Sequence, residues 1–149
     1  MIYSTQEQDV INQALRIIEA HYHQSDLQAN SPDVVKHFCQ LKLAHLEHEV
    51  FCLLLLNNQN QLIRFVELFR GTIDSCSVYP REVIKEVLSC RANAVILAHN
   101  HPSGISDPSQ ADMAITRRLQ EGLQLLDVRV LDHIIVGKDV CSLAEKGLL

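Results

Sequence analysis

The sequence predicts an α/β protein in which helices flank a mixed β-sheet. Helical and extended patterns alternate along the chain, as in folds that pack helices against a sheet. The run "AVILA" at residues 94–98 is short and continuously apolar, as expected for a strand covered on both faces. The length of 149 residues and the hydrophobic content of 47% are sufficient for one well-packed core.

Two helices are expected at the beginning of the chain. Residues 6–23 carry apolar side chains at helical spacing, which predicts an amphipathic helix. A second helix is expected over residues 32–46. Its start is indicated by Ser31, a favourable N-cap residue, followed by Pro32, whose fixed φ suits a first helical position.

Extended and helical segments then alternate to the end of the chain. The stretch "EVFCLLLLNNQNQLIRFVELF" predicts two strands joined by a turn at "NNQN". The later elements are expected at residues 71–80 (an extended piece or loop), 80–92 (helix), 94–101 (strand), 107–126 (helix), 128–137 (strand) and 140–144 (strand).

These elements suggest a division of the chain into two parts. We expect residues 1–45 to form a helical segment that packs on the domain formed by residues 46–149. The sequence contains no internal repeat and no low-complexity segment. A single core is therefore expected.

Charge and hydropathy narrow the range of functions. The formal net charge of −5 argues against broad electrostatic binding to nucleic acid, so DNA binding is expected to be weak and dependent on salt. The apolar runs are too short to span a membrane, and the polar N-terminus "MIYSTQEQDV" does not resemble a signal peptide. We therefore expect a cytoplasmic protein without membrane contact.

The cysteines do not indicate a disulfide framework or a thiolate metal site. There are 5 of them, widely scattered, and none forms a C-x-x-C pair. In a cytoplasmic chain they are expected to be small buried apolar residues.

The stretch "AVILAHNHPSGISDPSQAD", residues 94–112, contains the pattern most typical of a functional site. His99 and His101 point to the same side of an extended chain, because side chains alternate in a strand. Gly104 permits a sharp turn after them. Two imidazoles on one side, followed by a carboxylate, predict a metal site.

The helix after the histidines is expected to bring that carboxylate close. Asp107 is predicted as the N-cap, with Pro108 at the first helical position and Gln110 completing a capping box. Ser109 and Asp112 are three residues apart and therefore share one helix face. The helix begins only a few residues after the strand that carries the two histidines, so this face is expected to lie near them.

Two imidazoles and one carboxylate leave one position of a tetrahedral zinc site open for water, as in catalytic zinc sites. Hydrolysis also needs a base for the water proton. Glu49 is the favoured candidate because it directly precedes the first apolar strand, with Glu47 as the alternative. Ser109 is suited to donate a hydrogen bond to a developing oxyanion. His133 is expected to have a structural or supporting role.

The spaced pattern E…H-N-H-P-S-G…P-S-x-x-D, residues 49–112, resembles the metalloprotease signature of the MPN/JAMM superfamily. The surrounding sequence is similar to the sequences of the RadC family and its short relatives. The resemblance covers roughly residues 45–149 and includes "EVFCLLLLNNQNQLI", "PREVIKEVL", "AVILAHNHPSG" and "VLDHIIVG".

The resemblance implies a cytidine-deaminase-like MPN/JAMM fold and a zinc cofactor. It implies that the metal ligands are His99, His101 and Asp112. It further implies that Glu49 is the general base and that Ser109 supports the oxyanion.

Two functions of different kinds follow from these observations. The first is a zinc-dependent hydrolase that acts on a peptide or isopeptide bond in an unidentified peptide or protein substrate. The alternative is a non-catalytic binding module with a role in DNA repair or nucleic-acid maintenance. Longer RadC proteins resemble this sequence but carry an N-terminal helix-hairpin-helix-like segment that it does not show, which weakens the expected connection with DNA. The intact set of Glu49, His99, His101 and Asp112 favours the first function over the second. A nucleobase deaminase is disfavoured because the H-x-E…P-C-x-x-C signature is missing.

Overall fold

The computed structural model describes residues 3–21, 27–71 and 78–149. Over these residues the chain is an α/β protein, which confirms the predicted class. The helices are α1 (Thr5–His21), α2 (Pro32–Leu43), α3 (Pro80–Cys90) and α4 (Gln110–Gln124). The strands are β1 (Val50–Leu56), β2 (Leu62–Arg70), β3 (Ala94–Asn100), β4 (Arg129–Val136) and β5 (Val140–Ser142).

The strands form one mixed sheet in the order β2-β1-β3-β4-β5. Only β3 and β4 pair in parallel, while the other neighbours in the described sheet pair antiparallel. A parallel pair requires a crossover connection, and α4 provides it. The extended piece or loop expected at residues 71–80 lies mostly outside the described residues.

The sheet separates two hydrophobic layers. Strand β1 is buried along its whole length, and its side chains alternate between the layers. One layer lies under α2 and includes Phe38 with Leu54 and Ile96. The other lies under α3 and α4 and includes Leu53 and Leu97. Each such leucine stabilises the fold by about 2 kcal/mol when fully buried.

Helix α2 is an integral part of the core of the described domain. Its residues Val35, Phe38, Cys39 and Leu43 are buried against the sheet. Ser31 is the N-cap and Pro32 opens the helix, as the sequence predicts, although the Ser31 side chain makes no capping hydrogen bond. Among the helices within the described ranges, none has the length and apolarity needed to cross a membrane.

Candidate metal centre

The register of β1 and β3 brings the histidines and Glu49 to one end of the sheet. His99 lies opposite Phe51 across the antiparallel pair. Because β1 runs against β3, Glu49 lies level with His101, and alternation places both on the same face as His99. One carboxylate oxygen of Glu49 and one ring nitrogen of each histidine all lie within 4.8 Å of one another.

Asp112 approaches the histidines from the first turn of α4, which covers this face. Its Oδ1 is 3.1 Å from Nε2 of His99, and its Oδ2 is 3.4 Å from Nε2 of His101. The two Nε2 atoms are 2.8 Å apart. Two ligand atoms bound to the same tetrahedral zinc ion at ordinary bond lengths are about 3.3 Å apart. The three separations lie within about 0.5 Å of that value, which fits a candidate metal site of two histidines and one carboxylate.

An unsatisfied polar atom supports the fit to a metal ion. His99 and Asp112 are 0% and 1% exposed, respectively. Within the described part of the chain, Oδ1 of Asp112 is buried without a hydrogen-bond partner. Such an atom costs about 1–3 kcal/mol, and a cation at this point would offset that cost. The donor set of nitrogen and oxygen suits zinc and similar divalent ions.

The carboxylate of Asp112 is held in its anionic form. Burial by itself raises the pKa of this group, but the imidazoles of His101 and His99 and the backbone N–H of Ser109 together lower the pKa below its ordinary value. A ligand that is already deprotonated releases no proton when it binds a metal.

The orientation of His101 is set by a backbone carbonyl. Its Nδ1 is 2.7 Å from the carbonyl oxygen of Ile105, which can only accept, so Nδ1 carries a proton. In the neutral ring, Nε2 then carries a lone pair at the candidate metal position. When Nε2 is protonated it donates to the Asp112 carboxylate, and this hydrogen bond raises the pKa of His101, so a proton competes with a metal there. Gly104, with φ of 88°, closes the turn after His101, as predicted.

The start of α4 corrects one prediction. Asp107 is not the N-cap and Gln110 is not its capping-box partner, because the helix begins at Gln110 and Ser109 is the N-cap. The Ser109 Oγ accepts from Asp112 N–H at 3.1 Å, while Asp112 Oδ2 accepts from Ser109 N–H at 2.7 Å. This reciprocal pair satisfies two N–H groups, whereas Asp107 forms an exposed contact with Lys146. The same box fixes the rotamer of Asp112.

Asn100, which sequence analysis did not select, holds the segment that carries Glu49. Its Oδ1 accepts from Val50 N–H at 2.8 Å, and its Nδ2 donates to the carbonyl of His48 at 2.9 Å. The carbonyl of Glu49 accepts from Gly71 N–H at 2.9 Å. The sequence does contain an indication of this role. Asn100 lies between two histidines that share one face of the strand, so its polar side chain must point to the opposite, buried face.

The predicted site residues thus converge to different degrees. His99, His101 and Asp112 meet, and Glu49 lies beside the two histidines. Ser109 is exposed at the start of α4, and its hydroxyl, which accepts one bond, retains a proton to donate.

His133 lies behind the candidate metal ligands and not among them. Its Nε2 is 2.8 Å from Nδ1 of His99, on the far side of that ring from Asp112. Burial lowers the pKa of His133 well below its ordinary value, so its ring is neutral. Thr116, which sequence analysis also did not select, contacts the other nitrogen of this ring.

Comparisons with known proteins identify the family. A family model described as the RadC-like JAB domain matches residues 29–148. A UPF0758 protein of Vibrio cholerae is 55% identical over 97% of this chain and 91% of its own length, and a second from the same organism is 52% identical over 96% and 90%. A UPF0758 protein of Saccharophagus degradans is 56% identical over 96% of this chain but only 64% of its own length. The chain belongs to the RadC family and contains its JAB domain.

Proposed function

We propose that this protein is a zinc-dependent hydrolase that cleaves a peptide or isopeptide bond. One observation carries the proposal: the Nε2 atoms of His99 and His101 meet the buried carboxylate of Asp112, with the carboxylate of Glu49 beside them. Three protein ligands, and not four, are typical of catalytic zinc sites, and structural sites use four.

Each residue has a distinct role in this proposal. His99, His101 and Asp112 would hold zinc, which when bound supplies a Lewis acid beside the scissile carbonyl and the attacking water. Glu49 accepts a proton from that water and returns it to the leaving nitrogen as the C–N bond breaks. The remaining proton of the acid product passes to the amine, so that water and an amide yield a carboxylate and a protonated amine. Ser109 donates a hydrogen bond to the carbonyl oxygen as negative charge develops on it.

Asn100 and Gly71 support the role of Glu49. Hydrogen bonds to the backbone on both sides of Glu49 fix where its side chain leaves the chain. A general base must lie within hydrogen-bond reach of the proton it accepts, directly or through one water. A fixed backbone at this point favours that geometry.

The substitution Ser109→Ala should separate the contribution of this residue to stability from its contribution to catalysis. The loss of the capping hydroxyl should lower the free energy of unfolding by about 1 kcal/mol. Zinc binding should persist, because Asp112 keeps its bond to the backbone N–H of residue 109. Turnover should fall roughly a hundredfold if the hydroxyl stabilises the oxyanion.

Denaturant unfolding and steady-state kinetics measure the two effects, and Ser109→Thr, which keeps a hydroxyl, serves as the control. Equal turnover by wild-type protein and the alanine variant would remove Ser109 from the mechanism.

Incubation of the zinc-loaded protein with a complex mixture of peptides and with ubiquitin-like fusion proteins tests the proposed activity. Mass spectrometry should detect new N-termini that do not appear after the metal is removed with a chelator and that return when zinc is restored. Intact substrates in every zinc-loaded reaction would contradict the proposal. A tight complex with DNA that persists at elevated salt would favour the alternative of a non-catalytic binding module in nucleic-acid maintenance.

A further inference from the structure

A buried chain of hydrogen-bonding groups runs from His99 into helix α4. His99 Nδ1 lies 2.8 Å from His133 Nε2, and His133 Nδ1 lies 2.6 Å from the Thr116 hydroxyl oxygen. The Thr116 hydroxyl lies 2.6 Å from the backbone carbonyl of Asp112. Thr116 and His133 are 1% and 0% exposed, so water does not compete for these contacts.

The donor and the acceptor in each of these hydrogen bonds follow from the last group in the series, the backbone carbonyl of Asp112. The carbonyl of Asp112 can only accept, so Thr116 must donate its single proton to it. The Thr116 oxygen is then left to accept, and the group that faces it is Nδ1 of His133. Nδ1 of His133 therefore carries a proton.

The same reasoning extends to His99. A neutral imidazole has one N–H, so Nε2 of His133 carries only a lone pair. His99 Nδ1 must then be the donor in the contact between the two rings. With its proton on Nδ1, neutral His99 presents a lone pair at Nε2, the atom that lies 3.1 Å from Asp112 Oδ1.

The fold supports this arrangement from several sides. Thr116 lies one helical turn after Asp112, so one helix supplies both a metal ligand and the end of the hydrogen-bonded chain. Phe51 packs against the rings of both His99 and His133. The backbone N–H of His133 donates to the carboxylate of Asp132 at 2.7 Å, which fixes the strand at this residue.

We propose that Thr116 and His133 are positioning residues that set the tautomer of His99 and so direct its Nε2 lone pair to the metal position. Ligating histidines commonly donate their second N–H to a carbonyl or carboxylate. Here a neutral histidine takes that place, and it acts as an acceptor only because Thr116 fixes its proton. The inference rests on the proposed metal site, but the tautomers can be measured without any metal.

The first test is nitrogen NMR of imidazole groups in the metal-free protein at neutral pH, where protonated and bare ring nitrogens have clearly separate shifts. His133 should have a protonated Nδ1 and a bare Nε2. In Thr116→Val the Nδ1 proton loses its acceptor, so His133 should shift to the tautomer protonated at Nε2. Thr116→Ser should restore the wild-type pattern. His133 protonated at Nε2 in the wild-type protein would overturn the inference.

The second test is zinc affinity, measured by competition with a chromophoric chelator. Thr116→Val should bind zinc about 10–100-fold more weakly, the usual effect of losing a partner of a ligating histidine. Thr116→Ser should bind nearly as tightly as the wild type. Equal affinity of the valine and serine variants would contradict the inference. If NMR shows the predicted tautomers but the protein binds no zinc, only the proposed function is refuted.

Discussion

Glu49→Gln is expected to abolish most hydrolytic activity while leaving zinc binding unchanged. Glutamine has nearly the same size and hydrogen-bonding reach, but its amide cannot accept the proton of the attacking water. Loss of a general base typically lowers kcat by about two orders of magnitude or more. Zinc affinity should be preserved, because the proposed ligands are His99, His101 and Asp112, and three protein ligands are typical of an open catalytic site.

Glu47→Gln provides a matched control for this prediction. Glu47 lies on the same segment and loses the same charge, but it is not part of the cluster formed by Glu49 and the two histidines. Kinetics with a substrate found in the peptide screen, together with zinc content, should show a loss of kcat in Glu49→Gln only. Activity retained in Glu49→Gln, or lost equally in Glu47→Gln, would exclude Glu49 as the base.

Asp112→Asn is expected to abolish the proposed zinc binding without unfolding α4. An asparagine oxygen can still accept from Ser109 N–H, as Oδ2 of Asp112 does. The amide nitrogen then replaces Oδ1 and presents protons, not a lone pair, toward His99 Nε2. The proposed site therefore loses a negatively charged ligand atom, and an N–H group that can only donate hydrogen bonds takes its place at the metal position. Zinc affinity should fall by more than about a hundredfold, beyond the range for supporting partners.

Asp107→Asn is the appropriate control, since Asp107 is an exposed aspartate on the loop that leads into α4, and its contact is with Lys146. Chelator competition should show near wild-type affinity for this variant. Circular dichroism of the metal-free proteins should show the same helix content in both variants. Tight zinc binding by Asp112→Asn would show that the carboxylate is not a ligand.

Much of the fold could be predicted from local patterns. The continuous burial of β1 and β3 requires cover on both faces, and their apolar runs predict this. Helix ends were less predictable, because two caps compete at the start of α4. Asp107 and Ser109 both have a suitable partner three residues later, and only tertiary burial of Asp112 selects Ser109.

The candidate site was predictable where its residues are close in sequence. Period-two alternation places His99 and His101 together, and short loop geometry brings Asp112 near. The contacts of Asn100 with the segment before β1 and of His133 with His99 depend on strand pairing between distant parts of the chain. Local sequence patterns contain no register information for such pairs, so these supporting contacts required the structure.

Elemental analysis of the freshly purified full chain is the most direct test of the metal site. We expect about one zinc per chain, as for a single three-ligand site. His101→Ala should lose this zinc and keep its secondary structure, because the hydrophobic layers of the sheet do not involve His101. A wild-type protein that holds no stoichiometric metal, even after incubation with zinc and removal of the excess, would contradict the proposed metal site.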